Sequence, residues 1–191
     1  MLKPICAFIF SVLLTMPAAS QDVHTAGDTA QEAALVQQYD TRVRYENDGT
    51  GYQEVTAAIR IQSQAGVERY GQLRFGYSSA TEKLEINYVR VRKLGGQVVE
   101  TPAANAQDFA PEVLRSAPMY SDFRERHITV AGLRPGDLLE YRTTTVVTTP
   151  LAAGEFWYEH RFPKNQAVAR TRLDVDIPRS REVKLKSPKR K

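Results

Sequence analysis

The chain has 191 residues, 42% hydrophobic and 25% charged, a balance that fits one globular domain plus a tail and excludes disordered and collagen-like classes. Its 26 Lys and Arg against 22 Asp and Glu leave a net charge of +4, too mild and too dispersed for a nucleic-acid binder with its concentrated basic stripe. The only cysteine, Cys6, falls at the head of the leading apolar run. Once that leader is removed, disulfides and thiol catalysis are both excluded.

Residues 1–20 carry Lys3, then an apolar run over 5–19, then small residues at Ala18 and Ser20. This is the pattern of a secretory signal peptide, with cleavage expected after Ser20 and an exported product, periplasmic or extracellular. The run falls short of the roughly 20 apolar residues a spanning helix needs, so the rival reading of an uncleaved anchor is disfavoured and no membrane attachment is expected after cleavage. Cys6 lies too early for a lipoprotein cleavage point. Residues 21–33, with His24, are small and polar and read as a flexible leader.

From residue 34 the period becomes that of strands. Leu35, Tyr39, Val43 and Tyr45 alternate with Gln38, Asp40, Arg42, Arg44 and Glu46, and after the turn at 47–51 Val55, Ala57, Ile59 and Ile61 alternate with Glu54, Thr56, Arg60 and Gln62. The two runs make a hairpin, with Gly49 supplying positive φ. Residues 64–68 fit a helical turn or a loop. Leu73, Phe75 and Tyr77 then share a strand face, and over 85–93 the inward set switches from Ile86 and Tyr88 to Val89 and Val91, which predicts a β-bulge near Tyr88. Leu94-Gly95-Gly96 is a tight turn before a short strand over 97–100. Pro102 and Pro111 favour an irregular excursion over 101–116.

Residues 127–130 and 138–147 read as strands, the second with Leu139, Tyr141 and Val147 on one face, and Arg134-Pro135-Gly136-Asp137 joins them as a type II turn in a central hairpin. Phe156, Tyr158, His160 and Phe162 then form an aromatic alternating strand with Trp157, Glu159 and Arg161 on its other side. After a turn at 163–165, residues 167–177 place Leu173, Val175 and Ile177 against Arg172, Asp174 and Asp176. A last strand begins at Glu182 with Val183 and Leu185 inward. The basic cluster Arg181, Lys184, Lys186, Lys189, Arg190 and Lys191 reads as a solvated end. Nine or ten short strands with Gly or Pro turns define an all-β class, a β-sandwich, with neither an internal repeat nor a low-complexity segment.

Four segments carry a resemblance that runs through nearly the whole chain after the leader. They are YENDGTGYQEV at 45–55, NYVRVRKLGGQVVETP at 87–102, APMYSDFRERHITVAGLRPGDLLEYR at 117–142 and GEFWYEHRF at 154–162. Their order and spacing resemble the domain of unknown function 3857 family, an exported all-β domain that usually lies just N-terminal to a transglutaminase-like domain. The resemblance implies an immunoglobulin-like antiparallel β-sandwich. It also implies a papain-like neighbour carrying a Cys, His and Asp triad, which this chain lacks. Leu94-Gly95-Gly96 departs from the family's more usual Pro-Asp-Gly type of turn.

The chemistry-bearing residues are few. A serine triad needs Ser121 or Ser116 with His127 or His160 and Asp122 or Glu159, and no nucleophile-elbow sequence surrounds either serine. His127 and His160 lack closely spaced partner ligands, and Glu159 and His160 leave opposite faces of a strand, so no metal site and no cofactor are expected. Candidate ligand-binding residues are Tyr120 and Asp122, in a polar irregular segment, and Trp157, which with Tyr158 and Phe123 offers an aromatic platform for sugar rings. The competing roles are a turn cap for Asp122 and cover of a second core face for Trp157.

The reading is therefore of residues 34–191 as a single β-sandwich domain, truncated at its C-terminus. Its expected role is that of a non-catalytic exported accessory domain that packs against, or presents substrate to, a transglutaminase-like domain. The alternative is a free-standing module that binds cell-wall polysaccharide or peptide. Weak self-association through an unpaired edge strand is expected, and no nucleic-acid partner.

Overall fold

Strand-period side chains build two sheets that face each other, as seen in a computed structural model describing residues 32–111, 122–161 and 166–186. The elements are β1 (Ala34–Tyr45), β2 (Gly51–Ile61), α1 (Gln64–Tyr70), β3 (Gln72–Ser78), β4 (Glu82–Arg92), β5 (Val98–Glu100), β6 (Gln107–Phe109), β7 (Phe123–Thr129), β8 (Leu138–Val147), β9 (Ala167–Val168) and β10 (Thr171–Asp176). A 7-stranded sheet runs β10-β1-β2-β8-β4-β5, with β9 also on β1, and a 3-stranded sheet runs β3-β7-β6. The all-β antiparallel sandwich expected from the sequence is the architecture that forms. Its one departure is that β9 and β10 lie parallel to β1.

The core fills the space between the sheets. Val55, Ala57, Ile59, Ile61, Val89, Val91, Leu139 and Tyr141 from the large sheet meet Leu73 and Ile128 from the small one. Phe75 meets Tyr141 edge-on at a centroid separation of 5.4 Å. Arg126 ties the layers together from β7: it forks onto Asp108 at 2.8 and 2.7 Å and donates to the Leu84 carbonyl of β4. That fork holds the Asp108 carboxyl below the usual carboxylate range.

Bulges decide which residues face this core. In β4 the register skips from Ile86 to Tyr88, so Leu84 and Ile86 are buried before the bulge and Val89 and Val91 after it, as the switch in the pattern predicts. A second bulge, between Val36 and Gln38, has the same effect in β1. Ala34 and Val36 are buried on one side of it and Thr41, Val43 and Tyr45 on the other. Leu35 is consequently not a core residue.

Five sequence expectations are corrected. The central hairpin does not form, because β7 pairs with β3 and β6 while β8 pairs with β2 and β4. The turn itself is as expected, with Gly136 at φ +87° and Asp137 N–H donating to the Arg134 carbonyl at 3.2 Å. Turn chemistry reverses the chain but does not select its partners, and here it carries the chain from one sheet to the other.

The excursion after residue 100 contains β6, whose residues are all exposed and so leave no apolar alternation to read. The stretch 156–161 forms no ladder, although its sides are as expected, with Phe156, Tyr158 and His160 half-buried and Trp157, Glu159 and Arg161 exposed. Residues 182–186 form no strand either. Val183 and Leu185 alternate with nothing to bury them and are exposed.

The strand read over 167–177 is split into β9 and β10. The Ala169 N–H donates to the Val36 carbonyl at 2.8 Å, and the Arg170 carbonyl accepts from Tyr39 N–H at 3.0 Å, so the break falls opposite the bulge in β1.

The two turn glycines separate local strain from contact. A Cβ on Gly136 would meet the Leu94 side chain at 2.9 Å, and Leu94 is 81% exposed and free to swing away. A Cβ on Gly49, at φ +87°, would meet the Glu155 carbonyl oxygen at 2.5 Å and the Pro150 side chain at 3.0 Å. Gly136→Ala is expected to lower unfolding stability by about 1 kcal/mol and Gly49→Ala by more, since backbone cannot yield as a surface leucine does. Urea unfolding of the two variants checks this, and the reverse order would refute the contact between the β1–β2 turn and residues 150–155.

Candidate functional site

The loops of one end of the sandwich converge on the end of β1. Tyr45 pairs with Gly51, Gly51 with Val147, and Val147 with Glu82, so one row across the sheet sets the β1–β2 turn beside the start of β4 and the end of β8. Beyond that row Thr148 and Thr149 N–H groups both donate to the Thr81 carbonyl, and Gly154 N–H donates to the Asp48 carbonyl. Loop clusters at the end of a β-sandwich are where such folds bind, because the sheets hold the loops while leaving their side chains free.

Tyr45 anchors the later chain there. Its ring stacks on Phe156 at 4.4 Å and 14°, and its hydroxyl donates to the Trp157 carbonyl at 3.1 Å. Burial first, and then the Glu82 charge, hold the phenol above its ordinary pKa, so it stays a neutral donor. The backbone of Trp157 is thereby fixed while its side chain stands 76% exposed. The expected role of covering a second core face is not the one it has.

Asp122 reaches the same end from the other sheet. Its carbonyl accepts from the Ser79 N–H at 2.9 Å and the Ser79 hydroxyl at 2.8 Å, and its carboxylate accepts from Ala80 N–H at 3.4 Å. It closes the β3–β4 turn, the turn-capping role weighed for it from sequence. Glu82 assists by accepting the Ser78 N–H at 2.8 Å. Tyr120, Ser121, Ser116 and Phe162 lie outside the described residues.

The other polar candidates are engaged elsewhere. His127 is bonded to Glu125 at 2.9 Å and lies under Phe109, and Glu159 pairs with Arg161 at 2.7 Å. His160 Nδ1 lies 3.2 Å from the Tyr158 hydroxyl. Among the described residues no group of three or more His, Cys, Asp and Glu could hold a metal ion.

A tyrosine group that sequence reasoning missed lies beneath this segment. Burial, with Tyr39 and Tyr45 nearby, pushes Tyr158 up to about 12, and burial with Tyr39 and Tyr70 raises Tyr141 further. Tyr70 closes the group by donating to Gln166 Oε1 at 2.9 Å. Its members come from β1, α1, β8 and the 150s, and no local spacing links them.

Two facing sheets with their loops gathered at one end define an all-β sandwich domain. The chain belongs to the family of domains of unknown function 3857, whose family model matches residues 47–191. No curated relative matches the chain. Among solved structures, a Parabacteroides distasonis protein provisionally described as a protease superposes with a TM-score of 0.68 at 17% identity, over 78% of this chain and 29% of that one. This chain thus spans less than a third of that protein. The CBM3a-L domain of scaffoldin cipA from Clostridium thermocellum is matched at a TM-score of 0.36 and 9% identity, over 61% of this chain and 69% of that one. An M1 zinc metallopeptidase from Deinococcus radiodurans is matched at 0.30 and 16%, over 62% of this chain and 21% of that one. The first shares this fold.

Burial lowers the pKa of His160 below its ordinary 6.5. As pH falls through the ordinary value the unfolded chain takes up the proton first, so the stability tied to neutral His160 is present above that value and is lost below it. The native protein is expected to lose more stability between pH 7.5 and 5.5 than His160→Gln does. Equal slopes in thermal melts across that range would refute it.

Proposed function

We propose that this is an exported, non-catalytic accessory domain, periplasmic or extracellular after loss of residues 1–20, that packs against or presents substrate to a transglutaminase-like domain. The observation that carries this reading is a set of exposed apolar side chains on the chain that leaves the large sheet after β8. Leu151 is 90% exposed, Trp157 76%, Val183 46% and Leu185 90%, all on the stretch that follows β8. Contacts to the β1–β2 turn hold much of that stretch in place: Tyr45 holds Trp157, and the Ser180 hydroxyl donates to Asn47 at 2.9 Å. Apolar side chains on a fixed frame suit a protein interface better than a solvated tail. The same fold makes up 29% of a longer protein provisionally described as a protease, which supports a role as one part of a larger assembly.

A second reading, a module for cell-wall polysaccharide or peptide, is favoured by the exposed Trp157 ring at a loop-bearing end of the sandwich. Two measurements separate the readings. Titrated against a transglutaminase-like domain, the protein is expected to bind saturably. Trp157→Ser should weaken that binding about tenfold, as loss of an interface tryptophan does, with the melting temperature unchanged. Absence of binding by the native protein, with depletion onto insoluble cell wall that Trp157→Ser abolishes, would replace the first reading with the second.

A further inference from the structure

One open edge of the large sheet is β10, and among the described residues no strand pairs with it on the side away from β1. The register of β10 fixes what that edge offers. Thr171, Leu173 and Val175 pair with Tyr39, Thr41 and Val43, so their side chains share the inner face, while Arg172 and Asp174 share the outer face with Asp40 and Arg42. The Arg170 carbonyl accepts from Tyr39 N–H, so residues 170, 172, 174 and 176 turn their backbone groups toward β1. Thr171, Leu173 and Val175 therefore turn theirs outward, unpaired. Val175 is 46% exposed.

We infer that this edge pairs with the same edge of a second copy, antiparallel, about a two-fold axis at Leu173. The stretch 170–176 reads Arg-Thr-Arg-Leu-Asp-Val-Asp, and reversed against itself about Leu173 it is complementary at every position. Arg172 falls opposite Asp174 of the other copy, Arg170 opposite its Asp176, Leu173 opposite Leu173 and Val175 opposite Thr171. A two-fold interface requires this kind of self-match, in which each residue meets its reciprocal.

The backbone parity agrees independently of the charges. In that register the outward residues Thr171, Leu173 and Val175 are the ones that exchange both N–H···O bonds with the partner strand. Arg172 and Asp174 fall in the closely spaced non-hydrogen-bonded pairs, where cross-strand side chains approach most nearly. A shift by one residue would pair outward backbone groups with inward ones. Centring on Asp174 instead of Leu173 would set like charges opposite each other.

Pairing also extends a row that each copy carries in half. On the outer face Asp40 neighbours Arg172, and Arg42 neighbours both Asp174 and Glu54. Across the axis the row becomes Asp40, Arg172, then Asp174, Arg42 and Glu54 of the other copy, with charge alternating at each step. On the inner face Leu173 and Val175 gain cover. Each edge strand thus completes the other, in the manner of strand addition.

Sedimentation velocity of the full chain over a hundredfold concentration range tests the pairing. Native protein is expected to shift reversibly from one to two chain masses. Arg172→Asp alone and Asp174→Arg alone should each stay monomeric, since each sets like charges opposite, and mixing the two variants should restore a dimer containing one of each. Val175→Pro removes an outward N–H without touching the ladder to β1, and should abolish dimerisation with the circular dichroism spectrum unchanged. Native protein that stays monomeric throughout, or variants that fail to associate when mixed although each is folded, would overturn the proposal.

Discussion

The carboxylate of Asp137 is the constraint on which the two-sheet arrangement rests. Only 4% of the residue is exposed, and a buried carboxylate is costly unless paired and bonded. It accepts the Arg134 N–H at 2.8 Å and the Lys93 ammonium at 2.7 Å, and Lys93 also donates to the Gly132 carbonyl. The turn is thus tied to the β4–β5 corner. Its backbone is tied to the end of β2 as well, with Gly136 N–H donating to Ile61 at 2.7 Å and Ile61 N–H donating to Asp137 at 2.9 Å. Arg60 caps the Gly136 carbonyl at 2.9 Å. Three corners of the large sheet meet at the point where the chain arrives from the small sheet. Losing one partner would leave the other charge buried, which is why such pairs cost about 3–5 kcal/mol to break from one side.

This explains which parts of the fold were legible in the sequence. The alternation in β2, β3 and β4, the bulge near Tyr88 and the positive φ of Gly49 and Gly136 are all set by neighbours in the chain, and each appears where the pattern places it. Partner choice is set elsewhere. Pro135 and Gly136 specify a turn whether the next strand returns beside the last or crosses to another sheet, and the crossing depends on Lys93 and Ile61, some 44 and 75 residues away by numbering. The bulge in β1 escaped for a different reason. Leu35 and Tyr39 are apolar, so the odd positions seem continuous until Val36 and Thr41 are found buried instead.

The candidate site was legible to the same degree. Trp157 and Asp122 were marked by type, and the structure brings both to one end of the sandwich. Their roles came from partners that no spacing announces. Tyr45, 112 residues from Trp157, fixes it from below, and Ser79, 43 residues from Asp122, makes that residue a turn closure. Stacking of the Tyr45 and Phe156 rings, about 0.5–1.5 kcal/mol beyond the area they bury, replaces the ladder that the aromatic alternation of 156–162 suggested. Alternation reports that one side is buried. It does not report whether a strand or an aromatic clamp buries it.

Charge on the outer face of the large sheet does work that its modest energy conceals. Arg90 and Arg92 both reach Glu140, at 3.2 and 3.1 Å, and such half-exposed pairs contribute little each to stability. Their value lies in register. A one-residue slip of β10 along β1 is opposed by the core, since it would turn Leu173 outward. A two-residue slip keeps the faces correct and escapes that penalty, but it sets Asp174 beside Asp40 and leaves Arg172 without an acid opposite it. Like charges directly opposite are destabilising, so the acid and base order in β10 excludes the one slip that hydrophobic patterning tolerates. Parallel pairing at a sheet edge, short and held on one side only, is where such a second criterion is most needed.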